Sequence, residues 1–120
     1  MRVLIVEDSA PGAHLWVELV ALAGGVADVA TSGAEGLAAA KESPPVLVVM
    51  DLRLPDGDGA DWARRFKTEA ALAEVPIWAC SGLDAAELLD TAWEDQPFTA
   101  FVAKPFEAAQ VLMKLRAALA

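Results

Sequence analysis

The chain has 120 residues, 56% of them hydrophobic, enough for one sizeable core, so residues 1–120 read as a single domain. A formal net charge of -9 argues against direct nucleic-acid binding, which rests on clustered lysine and arginine. One cysteine, Cys80, excludes an intramolecular disulfide or thiolate cluster, and the apolar start MRVLIVEDS meets acids within eight residues, so it is neither a signal peptide nor a membrane span and a cytoplasmic setting is expected.

Short apolar runs recur along the chain. Val3 to Val6 is followed by Glu7 and Asp8, after which Ser9 precedes a helical stretch with Pro11 in its first turn and Leu15, Leu19 and Leu22 on one face. Val26 to Ala30 leads to Ser32 and Glu35 at capping-box spacing. Val46 to Met50 ends at Asp51; beyond it Asp56-Gly57-Asp58-Gly59 reads as a tight turn, since a calcium loop needs a closing glutamate that is missing. Trp62 and Phe66 mark the next helix. Ile77 to Cys80 leads to Ser81, and Asp84 with Glu87 repeats the capping spacing. Phe98 to Ala103 ends at Lys104, and Leu112, Leu115 and Leu119 stripe a last helix carrying Lys114 and Arg116 near its end. Runs this short and without alternation read as strands covered on both faces. Five β-then-α units predict an α/β fold with a doubly wound parallel sheet.

The polar residues cluster by position. Glu7, Asp8, Asp51, Ser81 and Lys104 follow the first, third, fourth and fifth runs, and ligands of such sheets bind at strand C-terminal ends. The second run contributes none, as expected of an edge strand in the flavodoxin-like order 2-1-3-4-5. Three carboxylates in one crevice repel unless a cation sits among them, and hard oxygen ligands suit Mg²⁺. A carboxylate can attack phosphorus, and phosphoryl transfer needs positioning and charge neutralisation, which a metal, Lys104 and the Ser81 hydroxyl would supply. His14 reads as a solvated helix residue, Trp16, Trp62 and Trp78 as core or half-buried packing, and Cys80 as a small buried hydrophobe.

Over essentially its whole length the sequence resembles the bacterial response-regulator receiver family. The likeness is carried by Val-Leu-Ile-Val-Glu7-Asp8, Asp51-Leu-Arg-Leu-Pro-Asp-Gly-Asp-Gly, Val75-Pro-Ile-Trp-Ala-Cys-Ser81-Gly and Phe101-Val-Ala-Lys104-Pro105-Phe, in that order. The resemblance implies that Asp51 is phosphorylated and that Asp8, Asp51 and the backbone carbonyl of Arg53 hold Mg²⁺, with Glu7 acting through a metal-bound water. It also implies a cis Lys104-Pro105 bond, movement of Ser81 towards the phosphoryl group and inward rotation of Phe101. The readout face would comprise the helix near Asp84, the fifth strand and the last helix, with Trp93 and Met113 exposed. The implied partners are a histidine kinase or histidine phosphotransfer protein and a downstream protein target, with no direct nucleic acid and no membrane.

Three departures from the common pattern stand out. Glu7 replaces the more frequent aspartate, Phe101 lacks the tyrosine hydroxyl, and Glu94 to Ala100 lacks the usual Gly-Ala turn. Arg53 and Gly82 are expected to tune phosphoryl lifetime and exchange. As a receiver the chain is no enzyme towards an external substrate. The competing readings are a metal-dependent aspartyl phosphohydrolase, which needs a general acid, and an interaction module that works unphosphorylated.

Overall fold

The computed structural model describes residues 1–82 and 97–120. In chain order it runs β1 (Arg2–Val6), α1 (Ala10–Leu22), β2 (Val26–Ala30), α2 (Gly33–Glu42), β3 (Leu47–Asp51), a small hairpin of β4 (Arg53–Leu54) and β5 (Gly57–Asp58), α3 (Gly59–Thr68), a 3-10 turn (Ala70–Leu72), β6 (Ile77–Gly82), β7 (Ala100–Lys104) and α4 (Ala108–Leu119). The five long strands form one sheet in the order β2-β1-β3-β6-β7, every pair parallel. With the hairpin set aside this is the expected 2-1-3-4-5 order, whose reversal between β1 and β3 opens a crevice at the strand C-termini. The expected helix near Asp84, its cap with Glu87, Trp93 and residues 94–96 of the Glu94 to Ala100 stretch lie outside the described residues; of the rest, Phe98 is buried and the Thr99 amide donates to the Ile77 carbonyl at 2.9 Å.

Successive strand residues point to opposite faces, so unbroken apolar runs feed two cores at once. Val6, Val48, Met50, Phe66, Leu72 and Ile77 pack on the α2/α3 side, while Val3, Ile5, Trp16, Leu19, Val49, Trp78 and Leu115 pack on the α1/α4 side. Cys80 is fully buried, and burial pushes its thiol up to about 12, which fits a packed hydrophobe rather than a reactive group. Trp16 and Trp78 are core residues, Trp62 is half-buried, and His14 and Met113 are exposed. No helix among the described residues is long and apolar enough to cross a membrane.

Three expectations need correction. β2 is not covered on both faces: it is the sheet edge, with Val26 55% and Val29 41% exposed. The buried face of α1 is Ala13, Trp16, Leu19 and Val20, whereas Leu15 and Leu22 lie exposed. That helix is apolar nearly all round, so its spacing fits more than one face. The strands also run further than the apolar runs, so Asp51, Ser81 and Lys104 are the last or next-to-last residues of β3, β6 and β7 rather than the residues after them.

The helix starts follow the sequence closely. Ser9 Oγ accepts from the Gly12 amide at 3.5 Å and Ser32 Oγ from the Glu35 amide at 3.2 Å. The reciprocal arm of the Ser32–Glu35 capping box lands one residue early, where Glu35 accepts from the Thr31 hydroxyl at 3.0 Å and the Thr31 amide at 3.4 Å. The Asp56 to Gly59 stretch is a tight turn as expected, with Gly57 at φ 138°, a region that favours glycine, and with Asp58 accepting from the Ala60 amide at 2.8 Å.

Candidate functional site

Parallel pairing sets the site. β1 and β2 pair through Val6 and Ala30, and β1 and β3 through Val6 and Met50, so Glu7 and Asp8 emerge beside Asp51. Asp51 is level with Cys80, Ser81 with Ala103 and Gly82 with Lys104, which brings the β6 and β7 ends round the same crevice. Among the described residues the buried polar or charged ones are Glu7, Asp51 and Ser81 alone. Burying carboxylates is costly unless they are paired or hold a metal, so this concentration is chemically pointed.

One oxygen from each of Glu7, Asp8 and Asp51 lies within 4.8 Å of the others, with Asp8 the exposed member. Mg²⁺–oxygen distances of about 2.0–2.1 Å put two ligand oxygens at most roughly 4.2 Å apart. Adjacent ligands of an octahedral ion stand closer still, so the trio would draw together by side-chain rotation to hold it directly, and a water between Glu7 and the ion would reduce the movement needed. The donor set, all hard oxygen, also matches.

Lys104 closes the other side. Its Nζ donates to Glu7 Oε2 at 2.7 Å and stands 3.6 Å from Asp51 Oδ2. Burial raises the Glu7 carboxyl above the usual range, Lys104 pulls it back, and Asp51 adds to the rise. Burial alone would lower the Lys104 amine, but the Glu7 hydrogen bond and the Asp51 charge outweigh it, and the amine is raised. The Lys104-Pro105 bond is cis, as the resemblance implied.

The backbone orients the carboxylates. Glu7 Oε1 accepts from the Ser9 amide at 3.2 Å, and Asp51 Oδ1 from the Arg53 amide at 3.0 Å. Glycine makes room for the Glu7 carboxylate and for the Asp51 backbone: a Cβ on Gly12 would stand 3.3 Å from the Glu7 carboxyl carbon, and one on Gly59 would lie 2.1 Å from the Asp51 main-chain carbonyl oxygen. The longer arm of Glu7 thus runs beside a position in α1 that carries no side chain.

Sequence reasoning missed the anchor of the loop after Asp51. Asp56 accepts from the Gly33 and Ala34 amides at 2.9 and 3.0 Å, capping α2 from across the chain. Those hydrogen bonds hold its carboxyl below the usual range. Trp62 Nε1 donates to the Asp56 carbonyl at 3.3 Å, and its ring lies where a Gly33 Cβ would need to be, at 2.3 Å. No local spacing signals this, because the partners are 22 and 23 residues apart.

The remaining expected residues are placed as follows. Arg53 is exposed at the start of the hairpin, and Gly82 is the last residue of β6. Phe101 is half-buried against the α2/α3 core and borders a hollow of about 390 Å³ between β7 and α4, which Pro105, Gln110 and Lys114 also line.

Comparison with known proteins agrees with this geometry. The virulence transcriptional regulatory protein PhoP of Salmonella typhimurium is 31% identical over 98% of this chain and 51% of its own length. The chain spans about half the length of the curated relatives it matches, 48% and 51% for the first two. A response regulator receiver domain (CheY-like) from Methylobacillus flagellatus superposes with a TM-score of 0.84 at 27% identity, covering 98% of both chains. The receiver domain of a Pseudomonas aeruginosa sensor histidine kinase, solved with magnesium in its active-site cleft, shares the fold at a TM-score of 0.85 and 22% identity, covering 97% of this chain and 94% of its own. Residues 3–116 match the response regulator receiver domain family, and the chain belongs to it.

Proposed function

We propose that Asp51 accepts a phosphoryl group from a phosphohistidine on a histidine kinase or histidine phosphotransfer protein, and that the phosphorylated chain binds a downstream protein target differently. The observation that carries this reading is the Lys104 amine, 2.7 Å from Glu7 and 3.6 Å from Asp51, facing three carboxylates within 4.8 Å of one another. A cation already poised beside the proposed acceptor carboxylate is what a dianionic phosphoryl group arriving there requires.

In this mechanism an Asp51 oxygen attacks phosphorus as the bond from phosphorus to the donor imidazole nitrogen breaks. The imidazole leaves with the electron pair and takes up a proton. Asp8, Asp51 and the Arg53 carbonyl would hold Mg²⁺, and Glu7 would hold one of its waters. When bound, the ion neutralises the phosphoryl oxygens that the carboxylates otherwise repel. Lys104 pairs with one of those oxygens, and the buried Ser81 hydroxyl donates to another. Movement of Ser81 frees space that Phe101 then enters, altering the surface of β7 and α4. The reading makes the chain a signalling module of the cytoplasm whose own dephosphorylation is a timer. Of the three readings weighed from sequence, family membership favours this one over a phosphohydrolase or a phosphorylation-independent module.

Incubation with Mg²⁺ and acetyl phosphate, followed by intact mass, tests it. The wild type should gain one phosphoryl group and Asp51→Asn none. No gain in the wild type, or an equal gain in the variant, sinks the reading.

A further inference from the structure

Lys104 reaches its partners from a segment that is thinly packed. Beyond β7 the chain turns through exposed Pro105 to half-buried Phe106, and a hollow of about 290 Å³ separates Lys104, Pro105 and Phe106 from Ser9, Gly12, Leu15 and Trp16 on α1. At the edge of that hollow the Trp16 and Phe106 rings meet, with centroids 5.3 Å apart and planes inclined at 48°. This is favourable aromatic geometry, and it ties α1 to the residue two places after Lys104.

The choice of tryptophan is informative. Trp16 is 1% exposed, and its Nε1–H has no hydrogen-bond partner among the described residues, although it lies close enough to the Cys80 thiol to favour that group's ionised form slightly. An indole N–H buried with at best a weak sulfur acceptor among the described residues carries a cost that phenylalanine or leucine would not incur. What the indole offers in return is size, enough to span from α1 to Phe106. The same helix starts at Ser9, whose amide fixes Glu7, the hydrogen-bond partner of the Lys104 amine. One helix therefore reaches Glu7 through the amide at its N-cap and approaches Lys104 through Phe106.

We propose that Trp16 is a positioning residue: by bracing Phe106 it holds the Lys104 amine between Glu7 and Asp51. The consequence for phosphoryl transfer rests on the function proposed above; the hold on Lys104 does not.

Two measurements separate these. The first is labelling of Lys104 by an amine-acetylating reagent without Mg²⁺, read by peptide mass against Lys41, which is paired with Glu69 on the opposite side of the sheet. Trp16→Leu should raise Lys104 labelling several-fold and leave Lys41 unchanged, and Trp16→Phe, aromatic but shorter, should restore the protection only in part. The second is the rate of phosphorylation by acetyl phosphate, expected to fall on the order of tenfold in Trp16→Leu because small misplacements of a charge-neutralising group are expensive. Mg²⁺ affinity by calorimetry should hold or rise rather than fall, since no expected ligand moves and the amine that competes for the same carboxylates is withdrawn. Should Trp16→Leu fail to fold, Phe106→Leu removes the same contact from its half-exposed side and should give the same pattern.

Unchanged Lys104 labelling in a folded variant overturns the proposal. So does a rise at Lys104 and Lys41 together with loss of Mg²⁺ affinity, which would mark a merely structural role. A wild type that takes no phosphoryl group, with selective Lys104 labelling in the variant, would remove the function and leave the bracing role standing.

Discussion

Replacing the acceptor with its amide should make the metal-free protein more stable. Asp51→Asn keeps the shape and an oxygen able to accept from the Arg53 amide, so the change is mainly electrostatic. At an effective dielectric constant of about 20, charges at the 4.8 Å limit of the trio repel by about 3.5 kcal/mol, which is the least the Asp51–Glu7 term amounts to; the Asp8 term is smaller because Asp8 is exposed. Against these, Lys104 at 3.6 Å attracts Asp51 by about 4.6 kcal/mol. The charge terms nearly cancel, and what remains is the desolvation of an ionised group that is 8% exposed, worth several kcal/mol for the ion and less for an amide. The expected gain is about 1–3 kcal/mol, or about 4 °C in Tm per kcal/mol for a chain of this size. Urea unfolding in EDTA measures it. On the proposed function, millimolar Mg²⁺ should then narrow or reverse the gap, because an ion held by Asp51 would bind the folded wild type more tightly than the variant. A metal-free variant less stable than the wild type, or a gap that Mg²⁺ leaves untouched, refutes the reasoning.

Gly33→Ala places a Cβ 2.3 Å from the Trp62 ring and should cost about 1–3 kcal/mol, seen in urea unfolding together with a change in tryptophan emission. Asp56→Ala removes the acceptor of two α2 amides and should cost about 1 kcal/mol at neutral pH. The Asp56 carboxyl is lowered in the folded state from the usual 3.8, so its contribution is present above that value and lost as pH falls through the folded one. Wild type and Asp56→Ala should therefore converge in stability at strongly acid pH, and a gap that is constant with pH would contradict the capping role. Arg53→Ala should change the dephosphorylation rate of the purified phosphoprotein, since Arg53 follows the acceptor by two residues and is exposed at the hairpin start; an unchanged decay removes the idea.

The strand order and the convergence of Glu7, Asp8, Asp51 and Lys104 were legible because each chemical residue sits at the end of an apolar run, and parallel pairing then leaves little freedom in where those ends meet. The face of α1 was not legible. Between Ala10 and Leu22 alanine, leucine, valine and tryptophan occur on every side, so no stripe distinguishes Leu15 from Trp16. The exposure of β2 was hidden for a related reason, since an apolar run reads alike whether one neighbour or two cover it, and Val26 and Val29 look no different from Val48 and Val49. Asp56 was read only as a turn former, because its amide partners belong to a helix that precedes it by more than twenty residues. Local chemistry shows in sequence; contacts between distant elements need the fold.

The clasp formed by Gly33, Asp56 and Trp62 bears on how segments of this protein can be exchanged with those of its relatives. The loop that follows Asp51 is fastened to the start of a helix from an earlier part of the chain, so loop 52–58 and the first turn of α2 form one structural unit. A chimaera that swaps the loop while keeping a bulkier residue at position 33, or a smaller one at 62, would lose the fastening and with it the setting of the Arg53 amide that orients Asp51. Grafts that carry all three positions together should keep it.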